Sequence, residues 1–184
     1  MQILVLSHTR CGSTTLCKWL SKELNYELDE SPYNSKTFDL VFLKTNIIRK
    51  IVIEEYIPSN QIISLFNKVI CLTRENTIDA AISFIVANNT NNWHVNYEVT
   101  SEWIEKNEKQ ILEQIHRYQT IKSNIKKQYG FNLTYEDIYI NKSAITKILD
   151  YIGINSPNHL DMLDYKRKYR KDNNIFIKKY IGII

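Results

Sequence analysis

The sequence predicts a single α/β domain, residues 1–184, with a central parallel β-sheet and helices on both of its faces. Three observations lead to this prediction. Short, continuous apolar runs recur along the chain, as in strands that are buried on both faces. Segments with apolar residues three or four positions apart separate these runs, as in amphipathic helices. A strand also passes through a tight loop directly into a helix, which is the unit from which such sheets are built.

Four apolar runs are predicted to form the strands of this sheet. They cover residues 3–6, 39–43, 68–72 and 131–135. Strands that alternate with helices pair in parallel through right-handed crossovers, so their carboxyl ends meet at one edge of the sheet. Ligands bind at that edge in such folds, which directs attention to the loops that follow the strands.

The apolar spacing also predicts the helices. They cover residues 13–24, 77–87, 101–127 and 143–151. Ser59 precedes the segment QIISLF and is predicted to cap a further short helix. Gly130 and Gly153 stand where the last two long helices end, as is typical of helix C-termini.

The composition is that of a globular protein with a substantial core, since 43% of the residues are hydrophobic and 24% are charged. The net charge of +4 permits an anionic ligand without requiring nucleic acid. The odd number of cysteines and their lack of zinc-type spacing disfavour a disulfide framework. No signal-peptide pattern or membrane-spanning apolar run is visible, so a cytoplasmic protein that does not enter a membrane is expected.

The loop after the first strand, SHTRCGSTT, has the composition of an anion-binding site. It leads straight into a helix, whose first backbone N–H groups and dipole favour negative charge. Gly12 lets the backbone approach a ligand closely, and Arg10 offers a forked cation for oxyanions. The alternative is that the hydroxyls of Ser13, Thr14 and Thr15 merely cap the helix. The motif GxxxxGK[ST] is absent, so the lysine and Mg²⁺ arrangement of ATP and GTP sites is not predicted.

The segment HTRCGSTTLCKWL resembles the 5′-phosphosulfate loop of sulfotransferases, whose pattern runs P-R-S-G-S-T-x-L. The similarity is greatest to the trehalose-type bacterial branch of that family. Cys11 replaces the usual Ser or Thr, and Thr9 replaces a frequent Pro. The resemblance implies a P-loop-like three-layer sandwich with a nucleotide bound by the loop. The implied binding residues are Arg10, Cys11, Gly12, Ser13, Thr14 and Thr15.

A second segment, VICLTRENTIDAAISFI, resembles the part of sulfotransferases that binds the 3′-phosphate of the donor. In the family an Arg ends a strand, and a Ser follows on the next helix. Arg74 and Ser83 hold these positions here, nine residues apart, a spacing that the trehalose-type branch tolerates. Arginine grips a phosphate through two parallel hydrogen bonds, and serine adds a neutral donor. The alternative is that Arg74 pairs with Glu75 or Asp79 at the surface.

Two further stretches extend the resemblance over residues 3–154. Trp93 matches an aromatic residue that the branch often places after this helix. The segment LTYEDIYINKSAITKILDYIGI resembles the family's YEDL…ILxFLGI region. In the family the polar residues of that region are largely architectural, so Tyr135, Glu136 and Asp137 are expected to have no catalytic role.

The resemblance implies an enzyme that moves a sulfuryl group from 3′-phosphoadenylyl sulfate (PAPS) to a hydroxyl or amine of an acceptor. The product is adenosine 3′,5′-bisphosphate (PAP), and a carbohydrate is one candidate for the unknown acceptor. The scheme requires no metal, because positioning and electrostatic stabilisation, with Arg10 at the leaving oxygen, account for most of the catalysis. Two alternatives stay open: a P-loop-type nucleotide kinase, and a nucleotide-binding sulfotransferase homologue without activity.

Four residues are candidates to take the acceptor proton or to assist the transfer. Glu30 in ELDESPY is preferred, because the trehalose-type branch uses a glutamate near a proline after its first helix. Asp29 is its competitor, and a solvated acidic turn is the alternative. Lys44 lies in FLKTN where other members carry K-T-H, so it is either a cation near the transferred group or an ordinary strand-end lysine. Asn46 replaces the histidine of that motif, which leaves His94 as a further candidate in the acceptor cleft.

The basic segment at residues 165–184 has two interpretations. Sulfotransferases close a late loop with Arg and Lys over the nucleotide, and by this resemblance Arg167, Arg170 and Lys171 bind its phosphates. Alternatively, the segment is a solvated tail that contacts a partner, although nucleic acid is not favoured. The trehalose-type branch also makes a homodimer possible.

Overall fold

The computed structural model describes residues 1–30, 45–53, 58–91, 93, 99–128 and 130–163. The strands in these ranges are β1 Gln2–Ser7, β2 Glu27–Asp29, β3 Ile47–Val52, β4 Lys68–Thr73 and β5 Phe131–Thr134. They pair in parallel in the order β2-β3-β1-β4-β5. The helices are α1 Ser13–Leu24, α2 Asn60–Ile63, α3 Thr77–Thr90, α4 Ser101–Lys106, α5 Glu108–Gln128, α6 Tyr135–Tyr139 and α7 Ile145–Ile152. The predicted α/β class with a central parallel sheet is therefore confirmed.

The chain divides into two compact units. One comprises Met1–Glu75 and Ile121–Tyr165, and the other comprises Asn76–Thr120 and Lys166–Ile184. The first unit contains the whole sheet together with α1, α2, α6 and α7. The second contains α3, α4 and the first part of α5. That the two units form one domain stays a prediction.

Within the first unit, α1, α6 and α7 pack on one face of the sheet. Burying each large apolar side chain contributes roughly 1.5–3 kcal/mol. The buried side chains include Ile3, Val5, Ile48, Ile70 and Leu72 from the strands and Leu16, Trp19, Leu20, Ile138 and Ile148 from the helices. This packing fixes the first turn of α1 at the carboxyl edge of the sheet, next to the end of β1.

Three of the four predicted strands are confirmed, at β1, β4 and β5, and the one at residues 39–43 lies outside the described residues. β2 and β3 were not predicted. β2 has three residues, too few for a periodic pattern. β3 reads IIRKIV, and its two basic residues interrupt the apolar run. Arg49 is nonetheless fully buried, with its guanidinium carbon 6.0 Å from the centre of the Phe66 ring.

The predicted helix at residues 13–24 is α1, and α3 extends beyond the predicted 77–87. The predicted helix at 101–127 is wrong as one continuous element. Asn107 separates α4 from α5, because its φ of −106° leaves the helical region. Its side-chain amide donates a hydrogen bond of 2.8 Å to the carbonyl oxygen of Trp103.

Local capping explains the remaining boundaries. The Ser59 side chain accepts a 3.4 Å hydrogen bond from a backbone N–H in the first turn of α2, as predicted. β5 ends at Thr134, one residue early, because Thr134 forms a capping box with Asp137 and starts α6. The predicted helix at 143–151 begins later, at Ile145, and Gly153 follows it in the left-handed conformation.

Candidate functional site

The loop after β1 lies at the carboxyl end of that strand, which is the central strand of the sheet and has β3 and β4 as its neighbours. Its backbone turns sharply, because Arg10 and Gly12 both adopt left-handed conformations, with φ of 62° and 82°. Gly12 is the N-cap residue of α1, so no side chain caps the helix, and its first turn contains no acidic residue. The helix begins there with Ser13, Thr14 and Thr15, which contribute backbone N–H groups and hydroxyls. A helix start of this kind attracts an anion.

Two tyrosines of α6 enclose Gly12. A Cβ atom added to Gly12 would lie 2.6 Å from Cε2 of Tyr139 and 3.2 Å from Cδ2 of Tyr135. The Tyr139 hydroxyl donates a hydrogen bond of 2.7 Å to the carbonyl oxygen of Gly12. Burial raises the pKa of Tyr139 well above its usual range, so this hydroxyl stays protonated. The loop therefore needs glycine both for its conformation and for its packing against α6.

His8 connects the loop after β1 to the loop after β4. It is fully buried, and its Nε2 atom accepts a hydrogen bond of 3.0 Å from the backbone N–H of Arg74. The Nδ1 atom must then carry the proton, and it donates to the carbonyl oxygen of Thr9 at 2.6 Å. Burial lowers the pKa of His8 to about 4, so the ring is neutral at pH 7. His8 thus holds the two loops together rather than exchanging protons with a ligand.

Cys11 directs its side chain into the core. The side chain is fully buried, and its thiol donates a hydrogen bond of 2.9 Å to the carbonyl oxygen of His8. Burial raises the pKa of Cys11 to about 11, which keeps it in the thiol form. A contact between Cys11 and a bound anion would therefore come from the backbone N–H. The thiol instead stabilises the loop through its hydrogen bond to His8.

Arg74, after β4, reaches back to the loop after β1. It is buried, and its Nη1 atom donates a hydrogen bond of 3.2 Å to the carbonyl oxygen of Arg10. Its guanidinium carbon lies 4.7 Å from the centre of the Tyr135 ring, and Nε lies 3.9 Å from Oε1 of Glu136. Tyr135 and Glu136 thus hold Arg74, and Arg74 in turn supports the turn at Arg10.

Lys50 on β3 is a basic residue of the site that was not predicted. The pairing of β3 with β1 places Lys50 beside Val5. Its Nζ atom donates hydrogen bonds to Oγ1 of Thr14 at 3.0 Å and to Oε1 of Glu30 at 3.2 Å. The side chain of Lys50 is 14% exposed, and that of Glu30 is 36% exposed. One ammonium group therefore joins the predicted loop residue Thr14 to the predicted base Glu30.

Asp29 ends β2 in the first unit and is partly buried. The other predicted residues fall in the second unit or outside the described residues. Ser83 lies on α3 and is partly buried. Trp93 packs edge-on against Phe84, with ring centres 5.9 Å apart. The residues outside the described ranges are Lys44, His94, Arg167, Arg170 and Lys171.

Sequence patterns carry only weak signals for the residues that were not predicted to form the site. Lys50 interrupts an apolar run, which is typical of a surface position as well. Tyr139 follows Tyr135 by one helical turn, so both face the same side of α6. Neither pattern reveals which loop these side chains contact.

Three further properties concern the described part of the chain. No group of three His, Cys, Asp or Glu side chains is arranged there so that it could hold a metal ion. Among the helices described, none combines the length and the apolar character needed to cross a membrane. All three cysteines are buried free thiols.

The fold is similar to that of the mouse sulfotransferase SULT7A1, whose crystal structure was determined in complex with PAP. The identity is 18% and the TM-score 0.55, and the match covers 88% of this chain but only 61% of that chain. The YorR protein from Bacillus subtilis, in complex with phosphorylated GDP, has a TM-score of 0.46 and 14% identity, with 86% of this chain and 99% of that chain covered. No protein-family model and no curated protein sequence matches this chain. The likeness to SULT7A1 establishes a sulfotransferase-like α/β fold, as the sequence predicts.

Proposed function

We propose that this chain is a sulfotransferase of the trehalose-type branch that moves a sulfuryl group from PAPS to an acceptor hydroxyl and releases PAP. The observation that carries the proposal is the loop after β1. Its sequence resembles the 5′-phosphosulfate pattern, and it enters α1 through an uncapped glycine at the central strand of the sheet. The likeness of the fold to a sulfotransferase crystallised with PAP supports it. A cytoplasmic location and a homodimer belong to the same proposal.

The groups around this loop suit a phosphate or a sulfate. α1 begins with N–H groups and three hydroxyl side chains, and no carboxylate lies in its first turn. Arg10, partly exposed in the loop, adds a positive charge that pairs well with an oxyanion. In this proposal Arg10 and the first N–H groups of α1 hold the 5′-phosphate and stabilise the charge on the leaving oxygen.

The 3′-phosphate is assigned to Arg74 with Ser83. Arg74 then has two tasks, since it also supports the loop through the carbonyl oxygen of Arg10. Arginine suits both tasks, because its guanidinium carries five N–H donors in a fixed plane. The basic residues Arg167, Arg170 and Lys171 would close over the nucleotide.

Glu30 is the proposed general base. Its carboxylate follows β2, is partly exposed and is oriented by Lys50, so an acceptor hydroxyl can approach it. A positioned base contributes roughly 10²- to 10⁴-fold to the rate of such a step. A carbohydrate is one candidate for the acceptor, and Lys44 and His94 are candidates to assist the transfer.

Nucleotide binding tests the donor half of the proposal. PAP is expected to raise the Tm of the purified protein without Mg²⁺, whereas ATP with Mg²⁺ is not. Adenosine 5′-monophosphate is the matched control, because it lacks the 3′-phosphate and should stabilise the protein less. Stabilisation by ATP with Mg²⁺ but not by PAP would contradict the proposal and favour a nucleotide kinase.

Transfer of radiolabelled sulfate from PAPS to a panel of acceptors, sugars included, tests the catalytic half. Glu30→Gln should lower turnover by roughly 10²-fold or more while PAP affinity changes little. Asp29→Asn is the control at the neighbouring carboxylate and should retain most of the activity. PAP binding without transfer to any acceptor would instead identify a nucleotide-binding homologue without activity.

A further inference from the structure

We infer that Tyr139 is a positioning residue for the donor, which orients the peptide between Gly12 and Ser13 so that its N–H group faces the 5′-phosphate. The inference rests on the proposed function and concerns a side chain that acts through the backbone of the loop after β1. Tyr139 lies on α6, 127 positions from Gly12 along the chain. Its hydroxyl nevertheless donates a hydrogen bond of 2.7 Å to the carbonyl oxygen of Gly12.

Two donors hold the carbonyl oxygen of Gly12. The backbone N–H of Leu16 donates to it at 3.1 Å and closes the first turn of α1, and the Tyr139 hydroxyl donates at 2.7 Å. The bond from Leu16 belongs to the helix itself, and the ends of helices fray. The bond from Tyr139 comes from a separate element, so it fixes the carbonyl against α6.

The planarity of the peptide bond transfers this orientation to the opposite side. In a trans peptide the C=O and N–H bonds point in opposite directions. The N–H of Ser13 therefore points away from Tyr139 and out of the start of α1, where the helix has neither a side-chain cap nor an acidic residue. The Cys11 thiol lies near this N–H, but sulfur is a weak acceptor, whereas a charged phosphate oxygen is a strong one.

Donors within the protein hold other carbonyl oxygens of the same loop as well. These carbonyls, each with its donor, are His8 with the Cys11 thiol, Thr9 with the His8 ring, and Arg10 with the Arg74 guanidinium. Carbonyl oxygens carry partial negative charge and repel an oxyanion, whereas N–H groups gathered in a turn of this kind attract one. Tyr139 holds the last of these carbonyls, at the point where the loop becomes a helix.

The hydrogen bond from Tyr139 also strengthens the donor on the opposite side. A peptide whose carbonyl accepts a hydrogen bond is polarised, which strengthens the next bond in the chain by about 10–30%. The effect grows during the transfer, because the bond between sulfur and the 5′-phosphate oxygen breaks and leaves its electron pair on that oxygen. The sulfuryl group meanwhile bonds to the acceptor oxygen, whose proton passes to Glu30.

Tyr139→Phe removes the hydroxyl and keeps the ring that packs against Gly12. PAP affinity, measured by titration calorimetry, should fall by roughly 3- to 10-fold, the effect of one neutral hydrogen bond, and the turnover of PAPS should fall further. Tyr151→Phe is the matched control, because the Tyr151 hydroxyl on α7 also donates to a backbone carbonyl, that of Val69 in β4, at 3.3 Å. It should lower the Tm by a similar amount and change neither PAP affinity nor turnover.

The amide proton of Ser13 provides a second readout, which a purely structural role of Tyr139 would not change. In isotopically labelled wild-type protein, its NMR signal should move downfield when PAP binds, because the N–H then donates to a charged oxygen. The displacement should be smaller in Tyr139→Phe than in the wild-type protein. The wild-type measurement tests the inference by itself should Tyr139→Phe not fold.

The outcomes separate this inference from the proposed function. Equal PAP affinities of Tyr139→Phe and Tyr151→Phe would overturn the inference and leave the proposed function standing. The same holds if saturating PAP binds to the wild-type protein without moving the Ser13 signal. If the wild-type protein bound neither PAP nor PAPS, the proposed function itself would fall, and the inference with it.

Discussion

Two loops at the same edge of the sheet, after the neighbouring strands β1 and β4, each lead into a helix but begin it differently. The N-cap residue of α1 is Gly12, so the helix has no side-chain cap, and its first turn has no acidic residue. The N-cap residue of α3 is Asn76, whose side chain accepts a hydrogen bond of 3.0 Å from the N–H of Asp79. Asp79 also places a carboxylate in the first turn of α3. The first helix start is thus open to an anion, and the second is already satisfied by its own residues.

The arginines of the two loops differ in the same way. Arg10 is partly exposed, whereas Arg74 is only 4% exposed and donates to the carbonyl oxygen of Arg10. His8 adds a second link by accepting from the backbone of Arg74. The loop after β1 thus leaves its helix start open, while the loop after β4 holds that first loop in shape through Arg74. The following substitutions test this difference.

Gly12→Ala should have the largest effect. Alanine would have to adopt a φ of 82°, which costs roughly 1–2 kcal/mol, and its Cβ would lie 2.6 Å from the Tyr139 ring, which adds about 1–3 kcal/mol. Urea unfolding is expected to show a loss of about 4 kcal/mol. Gly153→Ala is the matched control, because Gly153 has a φ of 80° and a Cβ added there would meet nothing within 4 Å. Equal losses at the two glycines would show that α6 does not constrain the loop.

Acid should loosen the link between the loops through His8. Its folded pKa is about 4 and its ordinary value is 6.5, so the unfolded chain binds more protons between these values. The stability from the neutral ring is complete above pH 6.5, falls as the pH decreases, and is lower by about 3 kcal/mol at pH 4. The free energy of unfolding, measured with urea between pH 7 and 4, should therefore depend less on pH in His8→Gln than in the wild-type protein. His116→Gln, exposed on α5, should keep the wild-type dependence; if both variants keep it, another group is responsible.

The smallest effect is expected at the satisfied helix start. Asn76→Ala removes the cap of α3 and should lower the free energy of unfolding by about 1 kcal/mol. Asn76→Ser keeps an oxygen that can accept from the N–H of Asp79 and should retain most of that stability. A loss of the same size in both variants, measured by urea unfolding, would mean that the cap is not the cause.

Sequence patterns predicted an element well where the residues that determine it lie close together along the chain. They predicted it less well where distant residues determine it. Arg49 made β3 resemble a surface segment, although the surrounding fold buries the Arg49 side chain completely. Asn107 breaks the long helix without disturbing the apolar spacing around it, so the break has no periodic signal. Gly130 was predicted only as a helix end. A Cβ there would lie 2.4 Å from the carbonyl oxygen of Val69, so the close approach of β4 requires glycine.

The sequence by itself determined the loop of residues 8–15 and the helix that it starts. Composition, turn and helix boundary all depend there on residues that are adjacent in the chain. Only the tertiary structure decided which side chains join that loop. Lys50 is 36 positions from Thr14, Arg74 is 66 from His8, and Tyr139 is 127 from Gly12. Parallel pairing brings strand ends together whatever their separation along the chain, and no local pattern specifies which strands become neighbours.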